Sequence, residues 1–269
     1  MLAVQPVVIN LSGDWTSATV EVLALIVTVL SVVCAFLAYT HQRKRAKKAA
    51  ACDLAKYYAD DVIEKNPLIA NVFSRSKLDE YIKSVIPEGE INRFDRSELA
   101  EILEKKSIPY DEFMKKVHAI DPSVIFICRM NLSCNLAERE KLFSDFTSSD
   151  ENTVAQNKTF LSGDFFQDLS MMLNQLEWFC MSCRYGLADE KIIYQSLHQT
   201  FLATVRVLYP FICRPNLNNE DKFYTNIIWL YRRWSKRHQK IKGKTDKRRQ
   251  KYLDKANAVK ARIFSGSGV

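Results

Sequence analysis

Two cysteines three residues apart, Cys180 and Cys183, have a spacing often found in metal sites and redox pairs. On a helix, residues at i and i+3 share a face. A structural zinc site needs four ligands, usually from a second close pair, but Cys128 and Cys134 are too widely spaced and His198 does not complete it. A thioredoxin-type motif needs a βαβ unit, which the sequence lacks. The cysteines are therefore interpreted as core side chains, and neither a metal site nor a cofactor is predicted.

Arg233 and His238 form the pattern Arg-x4-His. The pattern resembles that of the helical HEPN-type ribonucleases, in which a His and an Arg from two subunits cleave RNA without a metal ion. The imidazole serves as acid or base and the guanidinium binds the phosphate. Trp234 stands where those enzymes have a polar residue, so the resemblance is incomplete. A membrane-tethered ribonuclease using Arg233 and His238 is an alternative to a basic amphipathic helix without catalytic function.

Residues 58–61 spell Tyr-Ala-Asp-Asp, the metal-binding box of a reverse-transcriptase palm. Polymerases place this box on a β-hairpin beside a third carboxylate, whereas here it falls on a predicted helix that follows a membrane span. The match is therefore interpreted as a coincidence. The chain also has no P-loop, Rossmann glycine pattern, HExxH motif, nucleophile elbow or EF-hand loop. These absences favour an interaction function over the common enzyme classes.

Positive charge is concentrated in two short segments of this 269-residue chain, whose net charge is +8. Residues 43–48 carry five Lys and Arg, and residues 232–269 carry fourteen against two Asp. The rest is acidic, with 20 Lys and Arg against 29 Asp and Glu. Basic segments with interleaved aromatic residues bind anionic lipid, acidic protein partners or nucleic acid. Lipid or a protein partner is favoured, with nucleic acid as the alternative, because the chain is tethered to a bilayer. The predicted contact residues are Arg43, Lys44, Arg45, Lys47, Lys48, Arg232, Arg233, Lys236, Arg237, Lys247, Arg248 and Arg249.

An uncharged apolar segment, Val22–Thr40, predicts one transmembrane helix. Its nineteen residues cover about 28 Å at roughly 1.5 Å per residue, enough to cross the hydrocarbon layer. No Lys or Arg precedes the segment, and HQRKRAKK follows it at once. The positive-inside rule therefore predicts an inner (plasma) membrane location with the N-terminus outside and the remainder in the cytoplasm. A cleaved signal peptide would carry its positive charges before the apolar stretch.

Small residues recur inside the apolar segment at spacings of 4, 3, 4 and 3, which places them on one face of the helix. Such faces let transmembrane helices approach closely. A homo-oligomer formed through the span is therefore predicted, and an oligomeric pore is a further alternative function. This small-residue face consists of Ala24, Thr28, Ser31, Ala35 and Ala38.

The chain beyond the span is predicted to be all-α. Gly and Pro are scarce at seven each, and helix-length apolar stripes alternate with turn signals. The span is expected to continue into a helical stalk, and a polar loop is expected at 147–157. The predicted organisation is an extracytoplasmic segment 1–21, a transmembrane helix 22–40, a basic juxtamembrane stalk 41–65, a cytoplasmic helical domain 66–242 and a basic C-terminal helical tail 243–269.

Several residues have the types that begin or end helices. Ser76, Asp189 and, as alternatives for one helix, Asp95 and Ser97 are candidate N-caps because their side-chain oxygens can accept from backbone N–H groups. Gly186 is a candidate C-terminal cap, since glycine adopts the left-handed conformation easily. Gly243 is expected to end the helix before the basic tail.

An Asn-x-x-Glu motif at Asn174 and Glu177, followed by Gly-Leu-x-Asp-Glu from Gly186 through Asp189 to Glu190, resembles a widespread, uncharacterised bacterial family of small membrane-anchored proteins. The resemblance covers about 57–234 in layout and about twenty residues in motif. It implies one N-terminal span and a soluble helical domain. Asn174 and Glu177 are interpreted as a polar pair that bonds a neighbouring helix, with a small ligand site as the alternative.

The sequence therefore predicts a membrane-anchored interaction protein, either a scaffold or a sensor-effector, that self-associates through its span. Proteins with the layout of the resembled family are associated with bacterial stress or phage defence, an association that carries no mechanism. A protein partner and the membrane are the predicted binding partners.

Overall fold

A computed structural model describes residues 11–64, 66–133, 135–147, 150–217 and 222–265. Within these ranges the regular elements are helices and no strand occurs, which confirms the all-α prediction. The described residues form two compact units that divide after Ala49. The elements are α1 (Leu11–Tyr57), a π-helix (Tyr58–Glu64), α2 (Pro67–Arg75), α3 (Leu78–Val85), α4 (Arg96–Glu104), α5 (Tyr110–His118), α6 (Pro122–Leu132), α7 (Leu136–Phe146), α8 (Glu151–Arg184), α9 (Glu190–Cys213) and α10 (Thr225–Ser265).

Helix α1 is long and apolar enough to cross a membrane. It has begun by Leu11, earlier than the predicted span, and it does not end at the basic flank but continues to Tyr57. The expected continuation of the span into a helical stalk is therefore confirmed. Large apolar side chains of this segment, such as Val27 and Phe36, are exposed. Residues 1–10 of the predicted extracytoplasmic segment lie outside the described residues.

The second unit has one core, in which α8, α9 and α10 take part. Phe165, Leu169 and Leu176 of α8 are buried at helical spacing, as their stripe predicts. The largest fully buried side chain is Trp234 of α10. Its indole meets the ring of Phe201 on α9 edge to face, with 5.0 Å between centroids. Buried aromatic pairs of this kind stabilise the packing of α10 against α9.

The helix-capping predictions are confirmed at three of four helix ends. The Asp95 carboxylate accepts from the Glu98 N–H at 2.8 Å, so Asp95 and not the alternative Ser97 caps α4. Asp189 caps α9. Gly186 follows α8 with a φ of 66°. The prediction for Ser76 was wrong, because its hydroxyl donates back to the Val72 carbonyl of α2 at 2.7 Å.

Two predicted breaks differ from the structure. Instead of the polar loop at 147–157, α8 begins at Glu151, where Asp150 accepts from two N–H groups of its first turn. Gly243 does not end a helix, since α10 passes through it without interruption. A glycine costs an exposed helix only about 1 kcal/mol, and the Lys- and Arg-rich flanks favour helix enough to offset that. The last four residues of the predicted tail, 266–269, lie outside the described residues.

Candidate anion-binding site

Five cationic side chains surround one cavity of about 390 Å³ at the start of α10. The end of α8, the segment before α10 and the first three turns of α10 form its wall. Trp229, Thr225 and Ile228 also line it, and no Asp or Glu is among its described lining residues. We call this site the basic cavity, and its cations are Arg184, Lys222, Arg232, Arg233 and Lys236.

The first turn of α10 is held by Glu177 on α8. The Glu177 carboxylate accepts from the backbone N–H groups of Asn226 and Ile227, each at 2.9 Å, and from the Asn226 side-chain amide at 2.7 Å. A carboxylate at this position also interacts favourably with the helix dipole. Glu177 therefore has the helix-bonding role expected of it, whereas Asn174 one turn away is exposed. Because these N–H groups already donate to Glu177, the positive charge of the cavity comes from the cationic side chains that line it.

Polar contacts between α8, α9 and α10 orient two arginines of the basic cavity, Arg184 and Arg233. Arg184 donates to the Asn226 side-chain oxygen at 3.1 Å. Arg233 donates to the Glu190 carboxylate at 2.7 Å, and this hydrogen bond raises the pKa of Arg233. The Arg233 guanidinium also lies over the Trp229 ring, 5.4 Å from its centroid. Both arginines are therefore held towards the cavity by contacts that do not use all their N–H groups.

Two other cations of the basic cavity, Lys222 and Arg232, bind to the loop before α4. The Lys222 ammonium forms an ion pair with Asp95 at 3.4 Å and donates to the carbonyl of Arg93. The Arg232 guanidinium donates to the carbonyl of Asn92. The positions of Lys222 and Arg232 therefore depend on the position of this loop.

A buried carboxylate, Glu98, fixes that loop. It accepts from the N–H groups of Asn92, Arg93 and Phe94 at 2.7–2.8 Å and from the Tyr209 hydroxyl at 2.9 Å. Burial raises the pKa of Tyr209, so the hydroxyl remains a donor. Glu98 is not among the residues predicted from the sequence, although its position three residues after the Asp95 cap has the capping-box spacing.

The predicted contact residues of the tail divide into two groups. Arg232, Arg233 and Lys236 line the basic cavity, but the Arg237 guanidinium lies 3.8 Å from the Tyr194 ring centroid instead. Sequence reasoning missed Arg184 and Lys222, because neither lies in a basic run. The other predicted residues, which are exposed except for the half-buried Lys47, are Lys247, Arg248, Arg249, Arg43, Lys44, Arg45, Lys47 and Lys48.

Arg233 and His238 do not meet within one chain. Arg233 lines the basic cavity, whereas His238 lines a different cavity of about 280 Å³ together with Arg206 and Glu88. The His238 ring lies 5.5 Å from that of His198, measured between centroids. A ribonuclease centre that draws Arg233 and His238 from two subunits stays a prediction.

The remaining chemical motifs lie in helices. Cys180 and Cys183 are buried on α8, and burial raises the pKa of both thiols, that of Cys183 to about 12. Asp60 and Asp61 belong to the π-helix and not to a hairpin. Across the described part of the chain, no three His, Cys, Asp or Glu side chains come together as metal ligands.

On the small-residue face of α1, both hydroxyls are bonded within their own helix. Thr28 donates to the Ala24 carbonyl and Ser31 to the Val27 carbonyl, each at 2.8 Å. Ala35, also on this face, brings no polar group. The face therefore offers a smooth surface for close packing.

The chain belongs to the family described as Domain of unknown function (DUF4760), whose model matches residues 92–234. No curated protein and no solved structure matches the chain. The matched region begins at Asn92 and ends at Trp234. It therefore contains the loop fixed by Glu98 and the whole lining of the basic cavity except Lys236.

Proposed function

We propose that this protein is a membrane-anchored interaction protein, a scaffold or sensor-effector, whose DUF4760 domain binds an anionic partner in the basic cavity. The apolar segment of α1 is the anchor. The basic flank at residues 43–48 marks the cytoplasmic side of an inner membrane, so the domain lies in the cytoplasm. Self-association through the small-residue face brings several copies of the domain together.

The basic cavity is the observation that carries this proposal. It gathers five cations from three segments of a chain that is acidic outside its two basic runs. Like charges brought this close repel one another, and an anionic occupant relieves that repulsion. Contacts to carbonyl, amide and carboxylate oxygens orient Arg184, Lys222, Arg232 and Arg233 before any partner arrives, which lowers the entropy cost of binding.

Binding of a fluorescent heparin oligosaccharide to the full-length protein tests the anionic-partner part of the proposal. Lys236→Glu reverses a charge on the cavity wall, and we expect it to weaken binding at least about tenfold. Lys251→Glu is the matched control, since Lys251 is exposed on the same helix beyond the cavity. An equal loss in both variants would show that the general charge of α10, and not the cavity, attracts the probe.

Light scattering of the detergent-solubilised protein tests self-association. Ser31→Leu with Ala35→Leu fills the small-residue face and is expected to convert a discrete oligomer into a monomer. Val29→Leu with Val33→Leu places two leucines on the opposite face and should leave the oligomer intact. A monomeric wild-type protein would refute self-association through the span.

A further inference from the structure

The charge balance of the basic cavity indicates how much negative charge its ligand brings. Arg233 is paired with Glu190 and Lys222 with Asp95. Arg184 and Arg232 donate to neutral amide and carbonyl oxygens, and Lys236 has no carboxylate among the described ion pairs. About three positive charges are thus left uncompensated by described residues. Glu220 and Asp221 lie outside the described residues and are not included.

Three features of the cavity favour a phosphate group over a carboxylate. A carboxylate brings one negative charge, whereas a phosphomonoester brings about −1.5 to −2 and so matches three cations better. Three of the five cations are arginines, whose planar forks bind phosphate oxygens in pairs. Lys222 and Lys236 add point charges of the kind that accompany arginine in phosphate sites.

The size and the lining of the cavity indicate that the phosphate is attached to a larger body. A volume of about 390 Å³ is far more than an inorganic phosphate fills. The half-buried ring of Trp229 and the buried side chain of Ile228 supply an apolar wall beside the cations. Ligand sites commonly combine such a wall with a few oriented polar groups.

We infer that the basic cavity binds a phosphomonoester or diphosphate group carried on an organic body that lies against Trp229. This inference rests on the proposed function and names the anionic group that the cavity takes. The group comes either from a free phosphorylated metabolite or from the headgroup of an anionic lipid. In this inference Arg184 from α8 and Lys236 from α10 bind the phosphate oxygens.

Thermal unfolding of the full-length protein in nanodiscs of zwitterionic lipid tests the inference. The probes are ADP, pyrophosphate and a hexaglutamate peptide, and a parallel series uses nanodiscs containing phosphatidic acid. At about 100 times its Kd, ADP is expected to raise Tm by about 5 °C, and pyrophosphate at the same concentration should raise it less because it has no body to lie against Trp229. Arg184→Gln with Lys236→Gln should abolish the shift, whereas the matched control Lys244→Gln with Lys251→Gln should keep it.

Each result decides a different point. A shift that needs Arg184 and Lys236 supports the inference, with a free metabolite as the source if ADP produces it and a lipid if only phosphatidic acid does. A shift as large with pyrophosphate as with ADP would overturn the organic body against Trp229. A hexaglutamate shift as large as that of pyrophosphate would overturn the preference for phosphate but leave the anionic site of the proposed function intact. No shift with any probe, or an equal loss in the two double variants, would overturn both.

Discussion

Three glutamates each join two elements of the fold, because their carboxylates accept hydrogen bonds from donors on another element. They are Glu98, Glu177 and Glu190. Glu98 joins the loop before α4 to Tyr209 on α9. Glu177 joins α8 to α10, and Glu190 joins α9 to α10 through Arg233 and Trp234. Removing one of these carboxylates leaves several donors without an acceptor, which costs more than the bonds contributed. These three residues therefore set the walls of the basic cavity without lining it.

Glu177→Ala is predicted to lower the free energy of unfolding by about 2 kcal/mol, because the first turn of α10 loses its cap. Asn174→Ala, one turn away on the same helix but exposed, should change it by less than about 0.5 kcal/mol. Urea unfolding followed by tryptophan fluorescence measures both variants. Equal effects would show that the two motif residues act together at a site that the contacts of Glu177 do not explain.

Glu98→Ala is predicted to cost at least about 3 kcal/mol, since three backbone N–H groups and the Tyr209 hydroxyl lose their acceptor. Tyr209→Phe removes only one of those hydrogen bonds and should cost about 1.5–3 kcal/mol. The same unfolding experiment compares the two. A Glu98→Ala protein as stable as Tyr209→Phe would mean that the loop finds other acceptors and does not depend on this carboxylate.

Asp95 is predicted to make the domain sensitive to acid. Burial tends to raise the pKa of Asp95, but hydrogen bonds from Ser97, the Glu98 N–H and Lys222 outweigh it and lower the pKa. A carboxylate with a lowered folded-state pKa stabilises the protein above its unfolded pKa of about 3.9 and loses that contribution as the pH falls through the folded value. Tm measured from pH 7 to pH 3 should therefore fall less steeply for Asp95→Asn than for wild type, and parallel curves would contradict this account.

At the scale of elements, the sequence was informative wherever a local signal decides the structure. Asp95, Gly186 and Asp189 act through their own backbone neighbourhood, so their residue types sufficed. The prediction for Ser76 was wrong because its hydroxyl can either donate to a carbonyl of the preceding helix or accept from an N–H of the next helix. In the structure it donates to the preceding helix. Gly243 was misread because a single glycine ends a helix only when its neighbours do not favour helix strongly.

Glycine substitutions test this reading of the helices. A Cβ at Gly243 or at Gly163 meets nothing within 4 Å, so alanine at either position should favour the helix by about 0.5–1 kcal/mol. Gly89 has a φ of 98° and a Cβ there would lie 2.8 Å from the Gln239 side-chain nitrogen, so Gly89→Ala should destabilise instead. Amide hydrogen exchange in α10 and the global Tm measure the two effects. Faster amide exchange in α10 after Gly243→Ala would instead indicate that the helix is broken at that position.

At the scale of the whole molecule, charge and hydropathy could be predicted from composition, but the basic cavity could not. Scarce Gly and Pro predicted an all-α chain, and one apolar segment predicted one span. The cavity depends on Arg184 and Lys222 meeting the start of α10, and this meeting results from the packing of α8 against α10 and from the bonds of Glu98. Only the three tail residues that line it, Arg232, Arg233 and Lys236, stood in a basic run visible in the sequence.

We propose a topology in which one span holds the DUF4760 domain on the cytoplasmic side of an inner membrane. Protease treatment of sealed and opened bacterial spheroplasts, followed by detection of a C-terminal tag, tests it most directly. The account predicts a protein that stays with membranes after an alkaline wash and whose domain is degraded only when the spheroplasts are opened. Degradation in sealed spheroplasts, or release by the alkaline wash, would contradict it.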